Sequence, residues 1–312
     1  MVLVVIPAVA LAVTSLAAFL GRWVWWLDVI ANFRAQFVVL LALLGLIIVL
    51  SRWRKTGYAI LAVAAVNLVV VLPLFIGSPA DPVNGADPLR VMSFNLLSTN
   101  ESYSEVIDYI ETVDPDLILL HEASRPWEVA MESANLGYEI VRPRSDDLIF
   151  GTLVLVRGEG VEAVSYGFAA ASARAVEITF TPPRWPTSVS VLGTHPLAPT
   201  DRERAQLRDA QLGFAGEWAA GQTGAYLVVG DFNSTPWSWP FRRLVGSGGL
   251  ESSQNGFGLQ PSFSTESNLL LRVPIDHLVH SPALQATERE LGPALGSDHF
   301  PLLVDLQLTP DV

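Results

Sequence analysis

Three apolar runs fall within the first 77 residues, and they constrain this chain more than any other feature, because segments so apolar are built to leave water. Val2 to Leu20 is interrupted only by Pro7, Thr14 and Ser15. Phe37 to Leu50 extends back through Ala35 and forward to Trp53, and Tyr58 to Gly77 has full spanning length. A helix needs about 20 such residues to cross the hydrocarbon, so the pattern predicts three spans near 2–20, 35–53 and 58–77. A cleaved signal peptide is the alternative for the first run, but no Lys or Arg precedes it and two more apolar segments follow. Asn67 and Pro73 fit inside the third span if they face a neighbouring helix.

Charge divides the chain at the same place. Arg22, Arg34, Arg52, Arg54 and Lys55 against Asp28 give residues 1–80 a net +4, so a whole-chain charge of −12 leaves −16 for the remainder. The densest basic cluster, Ser51-Arg52-Trp53-Arg54-Lys55, lies between the second and third runs. The positive-inside rule puts that turn in the cytoplasm. The expected localisation is therefore a multi-pass cell-membrane protein with a cytoplasmic N-terminus, an outer Arg22–Arg34 loop, and everything after residue 80 outside the cytoplasm. Trp23, Trp25 and Trp26 in the outer loop suit the headgroup level. An acidic domain of this kind makes a nucleic-acid partner less favoured than a membrane one. No protein partner is implied. With no cysteine, disulfides, thiolate metal sites and cysteine nucleophiles are excluded.

The stretch from Gly77 to Pro88 is rich in Pro, Gly and Asp, and 81–88 reads as a linker to a single domain over 89–312. Within that domain, Arg90–Phe94, Leu117–Leu120, Leu153–Val156, Ala175–Phe180, Ser188–Leu192, Tyr226–Val229, Ile275–Val279 and Leu302–Leu306 read as strands. Ser104–Val113, Pro126–Ala134, Arg202–Trp218 and Phe241–Val245 read as helices. So many strands with few helices argue for packed sheets with helices outside.

Polar groups recur just past the strand ends: Phe94-Asn95, His121-Glu122, Thr194-His195, Gly230-Asp231-Phe232-Asn233, Asp276-His277 and Ser297-Asp298-His299-Phe300-Pro301. Singly each is an ordinary turn. Together they are not, since three of the five histidines follow Thr194, Asp276 and Asp298 at such ends. The set resembles the endonuclease/exonuclease/phosphatase superfamily over about residues 89–308, most specifically at Gly230–Pro236 and Ser297–Pro301. The resemblance implies an α/β domain folded as a four-layer α/β/β/α sandwich, preceded here by three transmembrane helices, with a Mg²⁺-dependent hydrolytic site at one edge. Mn²⁺ is a possible substitute.

Phosphate esters carry negative charge, so hydrolysis calls for a hard cation on oxygen ligands. Glu122 and Asn95 are the first candidates, then Asp298. A base neutral near pH 7 and oriented by a carboxylate suits His299 with Asp276. Asp231 and Asn233, from one turn, would position water and a phosphate oxygen, and His195 would donate to another. Arg174 matches by position a family arginine that contacts phosphate. His277 and His280 read as strand residues without chemistry. Trp237 and Trp239 read as packing residues with the option of an apolar rim. Two departures stand out: His121 where the family more often has Gln, and Leu97 where some of its nucleases carry a charge.

The sequence thus predicts a metal-dependent phosphoric ester hydrolase acting on a phospholipid or polyprenyl phosphate at the outer membrane face. A membrane-anchored nuclease and a non-catalytic binding or resistance factor are the alternatives.

Overall fold

In the computed structural model, residues 1–77, 79–83, 85–142, 151–168 and 174–310 are described. The N-terminal apolar runs are helical, the one open-chain conformation that satisfies its own backbone away from water. Helix α1 (Val2–Ala17) continues through a 3-10 turn to Leu20, followed by α2 (Trp25–Ala31), α3 (Arg34–Val49) and α4 (Arg54–Val71), which runs on to Leu74. Two segments, Val2–Leu20 and Arg54–Leu74, are long and apolar enough to cross a membrane. The middle one departs from expectation, for α3 has only 16 residues and meets α2 at a bend of 66°. Helix α4 begins at Arg54 rather than Tyr58, and Gly57 lets it lie tight against α3, because a Cβ there would stand 2.6 Å from the Val49 nitrogen. Asn67 faces the bundle interior, accepting from Arg34 Nη1 at 2.9 Å and donating to Ser15 Oγ at 3.2 Å. A buried amide between packed apolar helices needs such partners.

Among the described residues, the remainder forms two six-stranded sheets. Strands β1 (Leu89–Asn95), β2 (Leu117–Ala123), β3 (Glu139–Val141), β4 (Gly151–Val156), β11 (Leu284–Leu291) and β12 (Leu302–Leu308) form the first, in the order β11-β12-β1-β2-β4-β3. The second runs β5-β6-β7-β8-β10-β9, from β5 (Glu159–Gly167), β6 (Arg174–Thr181), β7 (Val189–Thr194), β8 (Ala225–Asp231), β9 (Glu251–Ser252) and β10 (Asp276–His280). Between the sheets lie Val91, Leu119 and Val154 against Val176, Val191 and Val229. Helices α5 (Tyr103–Val113) and α6 (Arg125–Ala134) cover the first sheet through Val106, Ile110 and Trp127. Helices α7 (Arg202–Ala220) and α8 (Trp239–Gly248) cover the second through Leu212, Phe241 and Leu244. The result is an α/β/β/α sandwich.

Every strand and helix expected in this domain is present, and four strands are added. β5 escapes the hydrophobic pattern because it is an edge strand exposed on both faces. β11 is charged and bulged between Ala286 and Glu288, and β3 and β9 are very short. The 81–88 segment is tied to β12: Val83 N donates to Gln307 Oε1 and Gln307 Nε2 to the Ala86 carbonyl, both at 2.7 Å.

The sandwich rests on one end of the helix bundle. Trp237 is buried among Ala18, Ala31, Val71 and Leu74, so packing is its role. Gly258 N donates to the Leu74 carbonyl at 2.7 Å.

Candidate active site

The period-two alternation of strands decides which side chains meet. In β1 the residues facing the other sheet are Leu89 and Val91, so Asn95 faces the same way. Leu227 and Val229 in β8 carry the register to Asp231, Val189 and Val191 in β7 carry it past the strand end to His195, and Leu278 in β10 carries it back to Asp276. β1 pairs with β2, and β7 with β8, in parallel, so their C-terminal ends share one edge. Antiparallel β10 brings its first residue, Asp276, opposite Asp231.

Glu122 breaks this rule. Leu117 and Leu119 face the other sheet, so an undisturbed β2 would turn Glu122 toward the helices. A register shift after Leu120, with φ of 54° at Glu122, turns the carboxylate into the site instead. Gly230 has a different constraint, since a Cβ there would lie 2.0 Å from the Thr194 carbonyl oxygen. Only glycine lets β8 run this close to the His195 strand end.

These residues line a cavity of about 260 Å³ with Asn95, Glu122, His195, Asp231, Asn233, Asp298 and His299 on its walls. His299 Nδ1 is 2.8 Å from Asp276 Oδ2. Its Nε2 lies 3.6 Å from Asp231 Oδ2, and His195 Nε2 is 3.4 Å from the same oxygen. Asn233 N donates to Asp231 Oδ1 at 2.9 Å, and Asn233 Nδ2 to the Pro196 carbonyl at 3.0 Å. A larger cleft of about 650 Å³ between α4 and α8 is lined by none of these groups.

Two donor sets could hold a cation. Asp231, Asp276 and His299 offer atoms within 4.8 Å of one another, but the His299–Asp276 hydrogen bond makes them a carboxylate–imidazole chain rather than a cage. Glu122, Asn95 and Asp298 fit a divalent ion better. Asn95 Nδ2 stands 3.2 Å from both Glu122 Oε1 and Asp231 Oδ2, giving two carboxylates the positive edge an ion would supply. Turning that carboxamide over would present its oxygen to the same place at the cost of the hydrogen bond its Oδ1 accepts from Leu97 N at 3.1 Å. A bound divalent ion would neutralise charge developing on phosphoryl oxygens.

Burial disfavours a charged His299, but the carboxylates of Asp276 and Asp231 outweigh it and lift its pKa from 6.5 to about 10. With no cation beside these carboxylates, His299 favours its protonated form at neutral pH. A cation beside the same carboxylates opposes that proton. Burial also works against ionised Asp231, yet His299 and the His195 hydrogen bond hold it well below the usual carboxylate range. For His195, burial is overcome by the hydrogen bond and charge of Asp231, so its pKa is raised. Because the folded pKa of His299 exceeds the unfolded one, its stabilisation is complete below pH 6.5 and is lost as pH climbs through about 10. In EDTA the melting temperature of the wild type is expected to fall more steeply across that window than that of His299→Gln. Parallel slopes would remove His299 as the source.

His121 is not in the cavity. It is fully buried behind the site, 3.3 Å from Ser93 Oγ and 3.1 Å from Thr152 Oγ1, and burial lowers its pKa to about 3. His277 bonds the Ser234 carbonyl at 2.8 Å and His280 the Ser281 carbonyl at 3.0 Å, both away from the cavity. Leu97 has φ of 61°, in the turn where its nitrogen donates to Asn95 Oδ1. Arg174 is the first residue of β6, and its side chain lies outside the described residues. The half-buried Trp239 ring lies 4.6 Å from the Arg22 guanidinium.

Four residues of the site region, Arg204, Arg208, Asp28 and Asn32, escape a reading by motif. Arg204, on the first turn of α7, lines the cavity and brings a cation to it. Asp28 and Arg208 form a buried pair, Nη2 to Oδ2 at 2.8 Å, while Arg208 Nη1 donates to the Asn233 carbonyl at 3.2 Å. Asp28 Oδ1 also accepts from Trp239 N at 2.9 Å, and Asn32 Oδ1 accepts from the Thr235 and Ser238 hydroxyls at 3.0 Å each. The turn that follows Asp231 is thus held from the α2 side. A signal was present, since Asp28 is the one acid among the apolar runs and a lone carboxylate there needs a partner.

Solved structures share this fold. The catalytic domain of human Nocturnin with bound sulfate anion is similar at 22% identity and a TM-score of 0.58, over 72% of this chain and 94% of that one. Truncated TDP2 of Caenorhabditis elegans is similar at 19% identity and a TM-score of 0.55, over 70% and 97%. A mannosyl-6-phosphatase of Bacteroides thetaiotaomicron is similar at 19% identity and a TM-score of 0.56, over 70% and 99%. The chain has no sequence match among curated proteins. Residues 92–299 match the Endonuclease/Exonuclease/phosphatase family, a stretch that opens just before Asn95 and closes on His299. This chain belongs to the Endonuclease/Exonuclease/phosphatase family as a metal-dependent phosphoric ester hydrolase.

Proposed function

We propose that this hydrolase is membrane-anchored and Mg²⁺-dependent, and that it cleaves a phosphate ester or pyrophosphate of a lipid or polyprenyl carrier at the outer face of the cell membrane. The observation that carries the reading is the shared turn: residues 231–239 supply Asp231 and Asn233 to the cavity and receive Asp28 and Asn32 from α2. A site built on the head of a membrane helix bundle meets substrates that arrive in the bilayer, where tethering raises effective concentration. The −16 charge after residue 80 favours such substrates over nucleic acid.

The same contacts support three crossings. Asp28 and the sandwich touch, so both lie on one side of the membrane. An even number of crossings must separate them, and α4 is of spanning length, so α3 crosses as well. The Arg52–Lys55 turn then takes the cytoplasmic side.

In this mechanism His299, oriented by Asp276, and Asp231 handle the proton of the attacking water. Asn233 and His195 bind phosphate oxygens, with Arg174 and Arg204 as further cations. Glu122, Asn95 and Asp298 hold the ion. The test is head-group or phosphate release by the full chain in detergent, with Mg²⁺ or EDTA, across lipid phosphates, polyprenyl pyrophosphates, DNA and RNA. Lipid turnover abolished by EDTA is the expected result. Metal-dependent cleavage of nucleic acid alone would transfer the chain to the nuclease reading.

A further inference from the structure

Most large apolar side chains of the sandwich are covered, with one contiguous exception. Leu269, Leu270 and Leu271 form a single 3-10 turn, with exposures of 66%, 66% and 60%. Among the described residues after 79, Val129 and Val164 are the only other large apolar side chains so exposed, and each is solitary. Three adjacent leucines facing solvent need an occupant.

Their position names it. The next residue, Arg272, has its carbonyl bonded to Gln36 Nε2 at 2.9 Å. Gln36 lies inside the first turn of α3, about 3 Å along the axis from its first residue. The leucine turn therefore comes down beside a membrane helix to the level at which its side chains turn outward, with Val39 and Leu40 exposed on the next turn. Exposed Trp23, Trp26 and Phe33 lie on the chain just before α3, and such aromatic side chains mark the headgroup level.

The other end of the same loop is fastened to the active site. Thr265 N donates to the Asp298 carbonyl at 2.8 Å and Thr265 Oγ1 to the Ser297 carbonyl at 2.6 Å. Phe263 packs on His299 with ring centroids 4.8 Å apart. Arg272 closes the loop on itself, donating to the carbonyls of Ser267 and Thr265 and lying 4.9 Å from the Phe300 ring.

We infer that Leu269–Leu271 insert into the bilayer interface on the catalytic side and seat the Asp298–His299 edge of the cavity at the headgroup level. This rests on the membrane-anchored reading and adds to it the direction of substrate entry: a phosphate headgroup reaches the cavity laterally from the leaflet, its apolar tail remaining among the leucines. Interfacial side chains of this kind sit about 5–10 Å into the headgroup and acyl boundary.

The chain has no cysteine, so Leu270→Cys gives a unique attachment point for a bimane fluorophore in the full chain reconstituted into phosphatidylcholine–phosphatidylglycerol vesicles. Lipids brominated near the top of the acyl chain are the quencher. Leu43→Cys on the exposed face of α3 reports anchoring, and Glu111→Cys on α5 reports water. Leu270 is expected to lose most of its fluorescence to the brominated lipid while Glu111 loses none. Quenching at Leu43 with none at Leu270 would overturn the insertion and leave the anchor standing. Quenching at neither would remove both.

Discussion

Turnover by a full-length His299→Gln chain is expected to fall about 10²–10⁴-fold, the range for losing a positioned proton-transfer group, with its fold intact. Glutamine can still donate an amide proton toward Asp276 Oδ2, the partner of His299 Nδ1, so the buried carboxylate is not abandoned. It cannot titrate. The loss should therefore lie in kcat rather than KM, and the pH–rate profile should lose one limb. Wild-type turnover with an unchanged profile would mean that proton transfer lies elsewhere, with Asp231 and His195 the groups to examine next.

Asp28→Ala should lower the stability of the full chain by about 3 kcal/mol, the low end for breaking a buried ion pair, since Asp209 also holds Arg208. The effect should not stop at stability. Arg208 Nη1 holds the Asn233 carbonyl, so a loosened guanidinium loosens the turn that carries Asp231 and Asn233. Turnover measured well below the melting temperature is expected to fall, although Asp28 is not among the cavity walls. The isolated 89–312 domain lacks Asp28 and Asn32 and should resemble this variant. If Asp28→Ala melts and turns over like the wild type, the α2 contacts are passive packing.

How much was legible in advance follows from range. Short-range patterns were sufficient for every α/β element with an ordinary hydrophobic period. Strand-end motifs named Asn95, Asp231, Asp276 and His195, and period-two alternation explains why the fold turns each from buried neighbours into the gap between the sheets. Glu122 was identified by its motif, but its orientation depends on a bulge that no alternation predicts. His121 shows the reverse: the same parity that buries Leu117 and Leu119 buries it too, leaving a neutral core imidazole. The charge state of His299 could not be read, since it depends on three carboxylates brought together from β8, β10 and the turn before β12. Asp28 and Arg208 are separated by 180 residues, and only the tertiary structure relates them.

Arg208 has one nitrogen on the Asp28 carboxylate of α2 and another on the Asn233 carbonyl of the turn after Asp231, and linkage makes such an arrangement reciprocal. If seating the helix bundle in lipid tightens the turn, occupying the turn with substrate must tighten the seat by the same free energy. The detergent or lipid around α1 and α2 is then an effector of the enzyme, and substrate should raise the resistance of the anchor to extraction.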